Sequence, residues 1–275
     1  MSNISSKAML TALHVSQWSG RQGDAQITKE VETLHNSRQS GKWTKYLIMA
    51  AALKPIQKRA GAARQFFYDH TLKWIEGWQL LPAAEYMDFM EKFAKYKSDF
   101  ENEVATFLPT YQEWIDEARV RLNGMFNEKD YPTLEELRTK FSIEIVVSPV
   151  PEADDFRVTL SDDEVARIKE QIKDQMQDAQ AEASRDLWNR VRDALKAMVE
   201  TLSQQDKVFR NSLVGNVKEL TTLLPRLNYC DDQGIIQCCK DMESLCVDPE
   251  TLRTNDAMRG EVANRARLVL QSYGL

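Results

Sequence analysis

Cys230, Cys238, Cys239 and Cys246 crowd into one C-terminal stretch, and thiols this close together could bind a metal, form disulfides or act as nucleophiles. Each option needs something that the stretch lacks. Zinc sites built on cysteine carry Cys-x-x-Cys pairs or nearby histidines, and the three histidines, His14, His35 and His70, all lie in the first quarter of the chain. A disulfide framework spreads its bridges through the fold. A nucleophilic thiol needs an imidazole within hydrogen-bond reach, so one of those distant histidines would have to fold back onto it. The cysteines therefore read as reduced, partly buried small hydrophobes, and no metal or cofactor is expected.

Carboxylate pairs offer a second kind of chemistry: Glu135-Glu136, Asp154-Asp155, Asp162-Asp163 and Asp231-Asp232. Each sits where a turn or a helix start favours acidic residues in any case. Ser19 to Asp24 (SGRQGD) resembles a phosphate loop only in its glycines, since it has neither the Lys-Ser/Thr ending nor a preceding apolar strand. No catalytic residue is named, and the reading leans away from an enzyme.

Charge is more informative. Residues 1–77 hold 11 Lys/Arg against 5 Asp/Glu, a net of +6, inside a chain whose net charge is −6. Lys42, Lys45, Lys54, Lys58, Arg59 and Arg64 lie among Trp43, Tyr46, Phe66, Phe67, Tyr68 and Trp74. Cations that track phosphates beside rings that stack on bases would make a single-strand nucleic-acid surface. The competing reading puts the aromatics in the core and pairs the cations with the acidic remainder of the chain.

The elements around these residues are mostly helical. Leu10 to Trp18 reads as a strand or a helix start, Thr28 to Leu34 as a helix, and Trp43 to about Trp78 as a helix kinked or divided at Pro55. From Pro82, placed as a first helical residue, apolar side chains recur about every 3.5 residues to Met125, a near-heptad seam interrupted at Pro109. Pro132 opens a short helix through Lys140. Ile143, Ile145 and Val147 then alternate, as do Phe156, Val158 and Leu160, so a hairpin is expected with Ser148 to Asp154 (SPVPEAD) supplying the turn. Ser161 and Glu164 form the pattern of a capping box, followed by apolar spacing that predicts one helix of about 40 residues to Leu202. Shorter helices are expected over Lys207 to Leu224, stopped by Pro225, over Gln233 to Leu245, and after Pro249. No run of 18 apolar residues occurs, so no membrane span is expected, and the N-terminus reads as mature protein.

The fold class expected is mainly α: long antiparallel, coiled-coil-like helices with a small antiparallel β-hairpin or sheet insertion. Three regions follow, which together form three parts or one domain. They are a basic helical region with room for a first strand (1–81), a long helical hairpin carrying a short helix and the β-hairpin at 132–160 (82–205), and a C-terminal helical region (206–275).

The runs RLNGMFNEKDYPTLEELRTKFSIEIVVSPVPEADDFRVTLSDDEVARI, QWSGRQGD and FRNSLVGNVKELTTLLPRLN resemble a protein family of unknown function, DUF3150, found in tailed bacteriophages and in prophage-like bacterial loci. The resemblance implies a phage or phage-derived protein of the host cytoplasm. Relatives encoded beside AAA+ ATPase genes would imply an AAA+ ATPase as one partner. It implies no reaction and carries over no functional residue. The function expected is a non-enzymatic adaptor that binds a host or phage protein, with Glu152, Asp154 and Asp155 of the hairpin turn displayed for recognition. The alternative is nucleic-acid association through Lys42, Lys45, Lys54, Lys58, Arg59 and Arg64. The near-heptad seam is compatible with a homo-oligomer.

Overall fold

A computed structural model describes residues 4–155, 161–204 and 207–275. The chain is mainly helical with a small antiparallel sheet, and it forms two compact units. The first comprises Met1–Ala12, Tyr68–Phe89 and Val147–Leu275; the second comprises Leu13–Phe67 and Met90–Val146.

Strand β1 (Ala8–Ser16) lies in a four-stranded sheet with β4 (Leu72–Lys73), β5 (Gln79–Pro82) and β6 (Ser142–Pro149), in the order β4-β5-β1-β6. β1 pairs antiparallel with β5, setting Ala8 opposite Pro82 and Leu10 opposite Leu80, and β5 pairs antiparallel with β4. A strand is thus the outcome for the N-terminal segment, and β6 is the first arm of the expected hairpin. The second arm, expected at 156–160, lies outside the described residues.

In the first unit, helix α6 (Asp162–Leu202) runs for 41 residues. Its buried stripe begins at Ala179 and continues through Ala183, Leu187, Val191, Leu195, Met198 and Leu202, the three-to-four spacing of one helix face. This stripe shares a core with α7 (Ser212–Leu227), α8 (Gln233–Glu243), α9 (Pro249–Thr254) and α10 (Asp256–Ser272). Asp232, Asp248 and Asn255 each accept a hydrogen bond from a first-turn amide of α8, α9 and α10 respectively, satisfying donors that a helix start leaves open. Arg259, 5% exposed, donates to the carbonyls of Thr201, Leu202, Gln204 and Lys207, so a guanidinium closes the C-terminal end of α6 where the helix dipole favours a cation.

In the second unit, α2 (Ala50–Asp69) buries Leu53, Ile56, Ala60, Ala63, Phe66 and Phe67. Helix α3 (Tyr86–Phe107) continues through one 3-10 turn at Leu108–Thr110 into α4 (Tyr111–Leu122), so the restart expected at Pro109 occurs. Helix α5 (Leu134–Thr139) opens with a complete capping box, Thr133 with Glu136.

Four local expectations are corrected. Residues 44–46 and 72–73 are strands, not parts of a helix, and Pro82 ends β5 instead of starting a helix. Pro225 lies inside α7, which extends to Leu227. Ser161 is the N-cap residue of α6, yet its side chain makes no capping bond, and Glu164 accepts instead from Arg167 one turn on. Pro55 does not divide α2: it sits in the second turn, where its missing N–H removes one hydrogen bond without ending the helix.

Candidate interaction surface

Residues 21–46 of the second unit form an arm. Its stem is a two-stranded antiparallel ribbon of β2 (Arg21–Gly23) and β3 (Thr44–Tyr46), in which Arg21 faces Tyr46 and Gly23 faces Thr44. Between the strands runs α1 (Ala25–Leu34). Asp24 starts this helix twice over: its backbone N–H donates to Trp43 O (2.9 Å), and its carboxylate accepts from Ile27 N–H (3.1 Å). Thr28 Oγ1 accepts from Trp43 N–H (2.9 Å), tying the helix to the returning chain. Asn36 and Gln39, with φ of 51° and 52°, turn that chain back.

The stem is pinned by an ion cluster. Lys45, whose side chain is 8% exposed, places Nζ 2.7 Å from Asp130, 3.2 Å from Asp24 and 3.0 Å from the Met125 carbonyl. Burial alone would lower its pKa; the paired carboxylates of Asp130 and Asp24 outweigh that and hold it above the usual lysine value. The Ile27 amide, then Lys45, hold the Asp24 carboxyl below the usual carboxylate range. Gly20 stands beside the stem with φ of 63°, and its carbonyl accepts from Leu47 N–H (2.8 Å). A Cβ there would come within 3.0 Å of Leu53 Cδ1 and 3.1 Å of Ile48 Cγ1, so both the backbone angle and the close approach require glycine.

Above this anchored stem, α1 buries none of its residues. Leu34 is 76% exposed, Trp43 45% and Val31 39%. A shallow depression of about 470 Å³ runs along Gln26, Lys29, Glu30, Thr33 and Leu34. A smaller one, about 190 Å³, separates α1 from the return loop and is lined in part by Thr28, Val31, Lys42 and Trp43. Tyr46 is exposed beneath Arg21, whose guanidinium lies 4.7 Å from the ring centre. The surface thus gathers exposed apolar side chains on a rigidly rooted element.

The residues expected from sequence are distributed differently. Lys42 is exposed on the arm, whereas Lys45, expected on a basic surface, spends its charge inside the anchor. Lys54, Lys58 and Arg64 are exposed on α2, while Arg59 is engaged by Asp99 (3.2 Å) and Glu103 (3.1 Å). Phe66, Phe67 and Trp74 are core residues, which leaves Trp43, Tyr46 and Tyr68 as the exposed rings of that set. In the first unit, Glu152 is exposed and accepts from Ser5 Oγ, and Asp154 pairs with Lys169 at 2.8 Å, which holds its carboxyl below the usual range. The side chain of Asp155 lies outside what the structure describes.

The four cysteines are free thiols. Burial pushes Cys238 up to about 12 and Cys239 up to about 11, so neither supplies thiolate near neutral pH. Among the described residues no group of three His, Cys, Asp or Glu side chains is placed to hold a metal ion, and no helix is long and apolar enough to cross a membrane.

The sequence reading missed the arm because its two strands are three residues each, too short to show alternation. The signals that could have found it are the glycines that bracket it, Gly20 and Gly23 on one side and Gly41 on the other.

No curated protein and no solved structure matches the chain. One family does, over residues 6–213, and its description is a protein of unknown function (DUF3150). With the match running from the first strand to the start of α7, the chain belongs to the DUF3150 family.

Proposed function

We propose that this chain is a non-enzymatic adaptor of phage origin, acting in the host cytoplasm, that docks a host or phage protein through the arm at residues 21–46. The observation that carries the reading is α1 itself, a ten-residue helix with no buried residue, held out on a ribbon pinned by Lys45. A helix this short is marginal in water, and here capping and tethering sustain it instead of burial. Ile27, Val31 and Leu34 recur at i, i+4 and i+7, the spacing by which a helix lays an apolar edge into a partner's groove. Trp43 supplies a large adjacent ring of the kind that anchors interfaces. An AAA+ ATPase is one partner class for such an adaptor. The acidic turn carries no comparable apolar edge, and its Glu152 and Asp154 engage Ser5 and Lys169.

Nuclease-treated affinity capture from phage-infected cells, comparing the wild-type chain with Leu34→Glu/Trp43→Glu, tests the proposal. A stoichiometric protein partner retained by the wild type and lost from the variant is expected. A partner held equally by both would move the docking site off the arm, and loss of every partner on nuclease treatment would overturn the adaptor reading.

A further inference from the structure

A different surface, on α2 and α3, suggests a second activity that does not rest on the arm. The two helices run antiparallel: Arg59 of α2 meets Asp99 and Glu103 of α3, and Phe66, further along α2, stacks on Tyr96, earlier in α3, with ring centres 4.8 Å apart and planes 26° from parallel. Beside that stack lies a depression of about 360 Å³ lined by Phe66, Lys92, Lys95, Tyr96 and Asp99.

Its lining carries two lysines, Lys92 and Lys95, and one acid, Asp99. Lys54 and Lys58 stand one turn apart on the exposed face of α2, and Lys95 is exposed on α3. Among the described residues, none of these three lysines is in an ion pair with a carboxylate; on α3, Asp99 and Glu103 are engaged by Arg59, while Glu91 stands exposed one turn from Lys95. Between positions 50 and 68, α2 carries no acidic residue at all. Lys95 and the half-buried Tyr96 border the open depression, and Lys54 and Lys58 are exposed on the neighbouring helix α2.

We propose that this face binds single-stranded nucleic acid, with Lys54, Lys58 and Lys95 on the phosphates and a base seated against Tyr96 in the depression. The lysines supply a sequence-independent electrostatic attraction, and the ring supplies a stacking surface available only to an unpaired base. The site differs from the broader basic set expected from sequence. It excludes Lys45 and Arg59, whose charges are internally matched, and it adds Lys95 and Tyr96 from the neighbouring helix.

Fluorescence anisotropy of the full chain with a labelled single-stranded oligonucleotide, over a series of salt concentrations, tests this. Expected is binding that weakens steeply with salt, falls about tenfold or more in Lys54→Glu/Lys58→Glu/Lys95→Glu, and falls about fivefold or more in Tyr96→Ala while Tyr96→Phe binds as the wild type. Circular dichroism melts identify variants that are folded, and Tyr96→Phe keeps the stacking arm informative if Tyr96→Ala is not. The proposal is overturned if the wild type shows no salt-sensitive binding, if the triple lysine variant binds as well as the wild type, or if a duplex of the same sequence binds equally. The triple variant is expected to retain the protein partner captured by the arm, so failure here and failure of the adaptor reading are separate results.

Discussion

Helices α1 and α6 carry apolar residues at similar spacing, yet the structure treats them in opposite ways. From Ala179 to Leu202, α6 buries seven apolar side chains along one stripe, and Leu195 and Val191 are fully inaccessible. The ten residues of α1 bury none. What holds α6 is removal of apolar surface from water, at roughly 25 cal/mol per Å². What holds α1 is a set of polar contacts at its root: the Asp24 cap, the Trp43–Thr28 tie and the Lys45 cluster. Apolar spacing in a sequence marks a face that wants covering; it does not say whether this chain or another molecule covers it.

The sharpest way to break the comparison is a matched pair of truncations. Leu195→Ala in α6 is expected to cost about 2–5 kcal/mol, because it removes a fully buried side chain and leaves a cavity. Leu34→Ala in α1 is expected to cost within about 0.5 kcal/mol, the range of surface substitutions. Urea denaturation of both variants measures the difference. A cost above about 1.5 kcal/mol for Leu34→Ala would mean that α1 is packed against something in the isolated chain, and the two helices would then differ in degree only.

The same contrast explains what was legible in the sequence. The C-terminal half of α6 was readable because burial follows the apolar period residue by residue, and α8 and α10 were readable for the same reason. Strands of two or three residues, such as β3 and β4, contain too few residues to show a period, so the helical pattern of α2 was carried over them in both directions. Pro225 was read as a stop, although α7 tolerates it in its last turn. The Ser161–Glu164 pattern was present without the bond, since Arg167 competes for the same carboxylate, while the box that does form, Thr133 with Glu136, was passed over. Of the candidate sites, exposure at Lys42, Lys54 and Lys58 was legible. The fate of Lys45 was not, because Asp24 and Asp130 approach it only through the fold. A lysine's sequence neighbours say little about whether its charge faces a partner or an internal pair.

Lys45→Met tests the anchor itself and is expected to have the next largest effect. It leaves Asp24 and Asp130 close together with no cation between them, which destabilises the root of the arm. Hydrogen exchange resolved along the chain locates the loss. Faster exchange is expected across residues 21–46, with the α6 and α10 amides unchanged. Uniform acceleration through both units would show instead that the arm is cooperative with the whole fold, and the distinction between tethered and buried helices would lose its energetic basis.

The smallest effect expected is a dependence on pH confined to the arm. Asp24 has its pKa below the ordinary 3.8 when folded, so its contribution is complete above 3.8 and is lost as pH falls from there through the folded value. Lys45 is shifted the other way: raised above 10.5, it contributes fully below 10.5 and loses that contribution as pH climbs past its folded value. Between those limits the arm's exchange rates, corrected for intrinsic chemistry, should be flat, and they should rise below about pH 3.8 in advance of the α6 core. Glu136 is also lowered and loosens the start of α5 in the same acid range, so the readout must be the arm amides themselves. Asp24→Asn separates the two, because it abolishes the arm's acid transition and leaves that of α5 in place. If the arm instead opened near neutral pH, where neither Asp24 nor Lys45 changes charge, the ion cluster would not be what roots it, and a helix with no buried residue would need another explanation for standing where it does.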